Sequence, residues 1–233
     1  IVSGVERRRA AMSSPVPLPE EILRSAERGE LLQVVKWLRK GGLVDALCSA
    51  PIRGGRTATT SLLHAAAANG HLEIVKMLLK RGASVDLPSG LGGTALMDAA
   101  YFGHVSLLLV LLQHSANPDL QSHRGHTALM WAAGEGQEAC LQALMRAKAN
   151  PDLQDIGGYI ALVHAALGGH EACVQLLLRA KANTKLLDED GRTALLLAET
   201  EGHNDTSPST GATLDSKALI PNLSLRSMIC SFV

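Results

Sequence analysis

Few residues of this 233-residue chain have the type and spacing that chemistry requires. His170-Glu171-Ala172-Cys173 begins like a zinc-protease helix but lacks the second histidine that would complete the pair on one helix face. Gly90-Leu91-Gly92-Gly93 has neither the spacing nor the lysine of a phosphate-cradling loop. His123 and His126 flank one turn, yet two side chains fall short of a structural zinc site, so both are read as exposed polar residues. Cys140 and Cys173 stand 33 residues apart, where sister segments carry Ile74 and Leu107, and are read as buried packing thiols. No catalytic residue, cofactor or metal is expected, and the chain is read as a non-enzyme.

Composition narrows the field further. Lys and Arg total 22 and Asp and Glu total 22, a balance that disfavours nucleic acid or an anionic membrane as the main partner. The longest apolar run, Val105 to Leu112, includes a serine and falls well short of the ~20 residues that span a bilayer. Equivalent positions on packed helices lie about 8–10 Å apart, and a disulfide needs Cα atoms within about 7 Å. Cys140 and Cys173 are therefore expected to stay reduced. The expected compartment is the cytoplasm, with the nucleus as the alternative, and the expected state is a monomer.

The elements that must position any site are set by a clock. Gly70, Gly103, Gly136, Gly169 and Gly202 stand 33 residues apart without a slip, as only stacked copies of one supersecondary unit require. Within the unit from Gly92 to Leu120, Thr94 is placed to cap a helix whose Ala95, Leu96, Ala99 and Ala100 give it a small-residue face. Gly103 closes that helix. His104 to Leu112 forms a second helix with Leu108, Leu111 and Leu112 toward the stack, and Pro118 bars its continuation. The exit Ala-Asn-Pro-Asp-Leu recurs verbatim at 116–120 and 149–153.

Those residues carry a resemblance. The order Thr-x-Leu-x-x-Ala-Ala-x-x-Gly-His, then Val-x-x-Leu-Leu, then Gly-Ala resembles the ankyrin repeat, most closely over Ser61 to Asp86. It implies an all-α ankyrin-repeat solenoid of helix-turn-helix units with hairpin-like finger loops. The expected organisation is a disordered arm over 1–17 and a repeat domain over 18–203, followed by a poorly ordered tail over 204–233. Within the domain, a capping repeat takes 18–45 and an extended finger loop 46–60. Four regular repeats follow over 61–187, then a truncated one over 188–203. The finger is long because Gly29 and Gly70 are 41 residues apart, eight more than one period. Met12 is expected to be the translation start, or the chain a piece of a longer one. Departures from the family pattern include Ile160 at a capping position, expected to cost its helix about 0.5–2 kcal/mol, and a single family histidine, His64.

The resemblance also implies where a partner would be read: on the finger turns and at the end of each first helix. Those positions are Tyr101, Phe102, Gly134 and Glu135 on the helices. On the fingers they are Leu91, Gly93, His123, Arg124, His126, Ile156, Tyr159, Glu189 and Arg192. Three of the chain's six aromatic residues fall on this surface, and aromatics with arginine are what interface hot spots favour. Trp131 is read as packing between repeats and Trp37 as a core residue. The expected function is a non-catalytic protein-interaction module with an unknown protein partner and no small-molecule substrate. The alternatives are a substrate-recruiting fragment of a larger enzyme or ligase, or a nucleic-acid or nucleotide reader using Arg53, Arg56, Arg124 and Arg192. The terminal Cys230-Ser231-Phe232-Val233 also fits capture by a PDZ domain, and fits a prenylation box poorly.

Overall fold

The computed structural model describes residues 18–51 and 57–193. The expectations for the arm over 1–17, for Arg53 and Arg56, for the helix from Ala194 and for the tail fall outside the described residues. Five helix pairs follow in order: α1 (Glu20–Glu27) and α2 (Leu31–Arg39), α3 (Leu62–Ala68) and α4 (Leu72–Lys80), and α5 (Ala95–Tyr101) and α6 (Val105–Gln113). Then come α7 (Ala128–Gly134) and α8 (Glu138–Arg146), and α9 (Ala161–Leu167) and α10 (Glu171–Arg179). First helices pack in one row, α1-α3-α5-α7-α9, and second helices in a parallel row. A single apolar cluster runs the length of the stack from Leu18 to Ala182.

Each first helix forms for local reasons. Ser61, Thr94 and Thr127 accept the amide three residues on, at 3.4, 3.4 and 3.2 Å, satisfying a free donor of the first turn. Alanines at 65–67, 99–100 and 132–133 are buried, and their small side chains let neighbouring helices approach closely. Ile160 makes no such cap on α9, as expected, but its side chain is only 2% exposed. Burying an isoleucine contributes about 1.5–3 kcal/mol, which offsets the missing cap. Cys140 and Cys173 are free and fully buried, and burial pushes both thiols up to about 11.

Over its described residues the extended finger at 46–60 forms two paired strands. β1 (Leu47–Pro51) pairs antiparallel with β2 (Thr57–Ser61), from Leu47 opposite Ser61 to Pro51 opposite Thr57. The threonines at 57, 59 and 60 suit a pleated strand, and the Thr59 carbonyl accepts the Gly90 amide of the next finger at 2.7 Å.

Three sets of ties hold successive units in register. The ring Nε2–H of His71, His104 and His170 donates to the carbonyls of Glu27, Ala68 and Gly134, each at the end of the preceding first helix. The distances are 2.7, 3.1 and 3.0 Å. In the fourth unit Gln137 does the same work, donating to the Tyr101 carbonyl at 3.4 Å. Gly70 shows why the preceding residue is glycine: its φ is +73°, and a Cβ there would lie 2.8 Å from the His104 ring. At the exits of the second helices, Asp45, Asp86, Asp119 and Asp152 accept the amides of Ser84, Asn117, Asn150 and Asn183. Between fingers, the amides of His123, Ile156 and Glu189 donate to Leu91, Arg124 and Gly157 at 3.1, 3.1 and 3.2 Å.

One recurring position is strained. After the second helices Gly41 and Gly82 hold a left-handed backbone, and the later units place Ser115, Lys148 and Lys181 there at φ of 65°, 65° and 63°. A side chain in that region costs about 1–2 kcal/mol.

Three outcomes are expected. His104→Ala, which leaves the Ala68 carbonyl without its donor, should destabilise the domain by about 1–2 kcal/mol in urea unfolding. His104→Gln, copying Gln137, should recover most of that loss. Lys148→Gly should stabilise by up to about 1 kcal/mol, the relief of strain exceeding the extra entropy of an unfolded glycine. His64 supplies the third. Its Nδ1 accepts from Ser61 Oγ at 2.9 Å and its Nε2–H donates to the Gly93 carbonyl at 3.0 Å, so the ring is held neutral. Burial lowers its pKa despite the opposing Gly93 hydrogen bond. The unfolded ring, with a pKa near 6.5, takes up a proton before the folded one. This contribution to stability is therefore full above about pH 6.5 and is lost as pH falls below it. His64→Met, the residue type of the next two units, should flatten that part of a melting-temperature profile between pH 5 and 7.

Candidate functional site

A groove of about 580 Å³ opens between the fingers and the first helices of the third and fourth units. Of the positions that the resemblance implies for partner reading, Leu91, Gly93, Tyr101, Phe102, His123, Arg124 and His126 line it. Five further residues line it that sequence reasoning did not assign to a surface, namely Ser89, Met97, Asp98, Ser122 and Trp131. Trp131 is half-buried and packs against the core, as expected, but its other face belongs to the groove.

The rings make a continuous ladder. Phe102 lies edge-on to Tyr101 with centroids 4.8 Å apart, and Tyr101 lies edge-on to Trp131 at 5.2 Å. Trp131 meets His126 at 4.7 Å, His126 meets His164 at 5.4 Å, and His164 meets Tyr159 at 6.1 Å. Arg192 then donates to the Tyr159 hydroxyl at 3.3 Å. Edge-to-face pairs at these distances stabilise one another beyond simple burial. The ladder thus crosses four successive units without a break.

The site residues expected from the sequence divide on this basis. Tyr101 and Phe102 are 37% and 51% exposed and form the groove's apolar wall. His123 and Arg124 are exposed at its rim. Tyr159 and Arg192 belong to the ladder, but Arg192 is also occupied within its own finger by Asp188 at 2.9 Å and Asp190 at 2.6 Å. Ile156 is 64% exposed on its fingertip, and Glu135 is exposed just past the end of α7; neither lines the groove. His126 departs from the expectation of an exposed polar residue. Its side chain is only 18% exposed because Trp131 and His164 cover it.

Two features of the site went unread in the sequence. Asp98 is half-buried on the groove floor, makes no ion pair among the described residues, and has its carboxyl pushed up to about 7 by burial. His164, on α9, brings its Nε2 to 2.9 Å from Asp155 Oδ2, while His126 Nε2 lies 3.4 Å from the same oxygen. Burial lowers the His126 pKa most, His164 and Arg124 add to the effect, and Asp155 opposes it. The available clue was the period. Asp98, Trp131 and His164 are one repeat apart, at the first-helix offset that Ala65 occupies in the second unit.

The described cysteines are buried, and the groove presents rings, a carboxyl, two serines and a rim arginine. No helix is long and apolar enough to cross a membrane among the described residues.

Comparison with known proteins agrees with the architecture. A family model for ankyrin repeats matches in three copies, over residues 22–122, 63–155 and 129–207. No curated protein matches the chain. Ankyrin repeats are generally protein–protein interaction modules and typically non-catalytic. With the matched copies covering most of its length, and with the helix pairs, fingers and inter-unit ties recurring at one period from the second unit on, the chain belongs to the ankyrin repeat family.

Proposed function

We propose that this chain binds a partner protein through the groove and ring ladder on its finger side, without catalysis of its own. The observation that carries the reading is the ladder from Phe102 to Tyr159. Aromatic residues are scarce in this chain, six in all, and this one surface holds four of them: Tyr101, Phe102, Trp131 and Tyr159. Exposed apolar wall beside polar rim is the composition of interaction sites rather than of inert surface. Rigid stacking supports binding in a second way. Side chains already held by their neighbours lose little freedom when a partner docks.

The groove also states a preference. A half-buried carboxyl at Asp98 among aromatic rings suits a partner segment that brings an apolar anchor and a basic side chain. Docking such a cation would return Asp98 to its charged form and replace the water it lost on burial.

The expected outcome is measured by affinity capture with wild type beside a Tyr101→Ala/Phe102→Ala/Tyr159→Ala variant whose fold is checked by circular dichroism. Proteins retained by wild type should be lost by the variant, and for any captured partner the affinity should fall at least about tenfold, since hot-spot side chains commonly exceed 2 kcal/mol each. Asp98→Asn should weaken the same complex. A folded triple variant that retains the same proteins as wild type would refute the assignment of this face.

A further inference from the structure

We propose that His126, Asp155 and His164 form a binding site for a divalent zinc-class cation, with two imidazole nitrogens and one carboxylate oxygen as ligands. The inference stands apart from the partner-binding reading and does not need it.

The geometry comes first. The three candidate ligand atoms all lie within 4.8 Å of one another. His164 Nε2 and His126 Nε2 lie 2.9 and 3.4 Å from Asp155 Oδ2. Ligands about 2.1 Å from a tetrahedral zinc stand about 3.4 Å apart; the His126–Asp155 edge already has that length, and the 2.9 Å His164–Asp155 edge needs only a small opening. A pair of hydrogen bonds accounts for the cluster less well. One oxygen takes His164 at good distance, while 3.4 Å is long for a second N–H donor.

The carboxylate is also held for the task. Asp155 Oδ1 accepts the amides of Gly157 and Tyr159, both at 2.9 Å, which fixes the plane of the group and turns Oδ2 toward the two rings. Outer hydrogen bonds of this kind orient metal-binding carboxylates. The finger turn itself does not demand the second oxygen. One period earlier, Ser122 accepts the corresponding amide with a lone hydroxyl, and Ser89 does so one period before that.

Charge supplies an independent argument. The Asp155 side chain is only 5% exposed and, among the described residues, its ion-pair neighbours are the two histidines alone. One period later the equivalent Asp188 has the Arg192 guanidinium against its free oxygen at 2.9 Å. A buried carboxylate is costly without a full counter-charge, and in this unit the place of that guanidinium is taken by two imidazoles. Two nitrogens and one oxygen suit zinc and its first-row neighbours better than calcium or magnesium, which favour all-oxygen sets. Trp131 packs against the His126 ring and Tyr159 against the His164 ring, and a zinc held by three protein ligands takes a water as its fourth.

The test uses the full chain, stripped with a chelator. It is titrated with Co²⁺, read by its tetrahedral absorption bands, and with Zn²⁺ against a chromophoric competitor. One equivalent should bind at the cluster. His126→Ala, His164→Ala and Asp155→Ser should each weaken it at least tenfold; the serine keeps the turn, as it does at Ser122. His123→Ala, on the same finger but outside the cluster, should bind as wild type. Histidine ring resonances provide a readout independent of any variant: zinc should shift His126 and His164 and leave His64 and His71 in place. Equal binding by wild type and the His126→Ala/His164→Ala double variant, zinc shifts confined to other histidines, or no wild-type binding at all would overturn the site.

Discussion

The fold depends on one contact made again and again: an imidazole N–H reaching back to the last carbonyls of the helix in the preceding unit. His71, His104 and His170 each make it, and Gln137 keeps it with an amide. The bond satisfies a carbonyl that the end of a helix would otherwise leave open. It also sets how close two units can come, because the ring must lie against the backbone of the preceding turn. That distance excludes a Cβ at Gly70 and calls for small residues along the facing first helices. Stability in such a stack is approximately a sum of units and of interfaces between neighbours. A tie repeated at every interface therefore weighs more than any single core residue.

Register has a second consequence. Once units are locked at a fixed offset, residues 33 apart become neighbours in space, and each offset forms a column along the stack. Two columns build the site. One runs Asp98, Trp131, His164 on the first helices; the other runs Gly93, His126, Tyr159, Arg192 on the fingers. The columns differ from unit to unit while the buried alanines and leucines beside them hardly change. Asp98 illustrates the cost of that freedom. Burial pushes its carboxyl up to about 7, in a place where Ala65 serves the fold equally well. A residue that the packing does not require and the electrostatics penalise is a candidate for function.

Much of the architecture was legible in the sequence because the repeat imposes it in every copy. The period, the Thr caps, the Gly closures and the burial of Cys140 and Cys173 all follow from patterns confirmed by several units at once. What escaped was what occurs only once. Asp155 and His164 are separated by nine residues within one unit, and His126 lies in the unit before; no local spacing joins them. Exposure was misjudged at His126 for the same reason, since the rings covering it come from α7 and α9. The long finger reads as an insertion in the sequence, whereas its pairing into β1 and β2, with the Thr59 carbonyl accepting the Gly90 amide of the next unit, joins residues that no repeat offset connects.

The finger turn shows how such a repeat separates what the fold needs from what remains free. Every turn requires one acceptor for the amide four residues on. Ser89 and Ser122 provide it with a hydroxyl at 3.2 Å, Asp155 with Oδ1 at 2.9 Å, and Asp188 with Oδ1 at 2.7 Å. A serine exhausts its role there. An aspartate leaves a second oxygen that the turn has no use for, and its surroundings decide what that oxygen does. Beside Arg192 it closes an ion pair that ties up the arginine within the finger, whereas between His126 and His164 it has only imidazoles to answer it. The same backbone demand, met by residues of different valence, thus produces an inert turn, a closed salt bridge and an open ligand cluster in successive units of one stack.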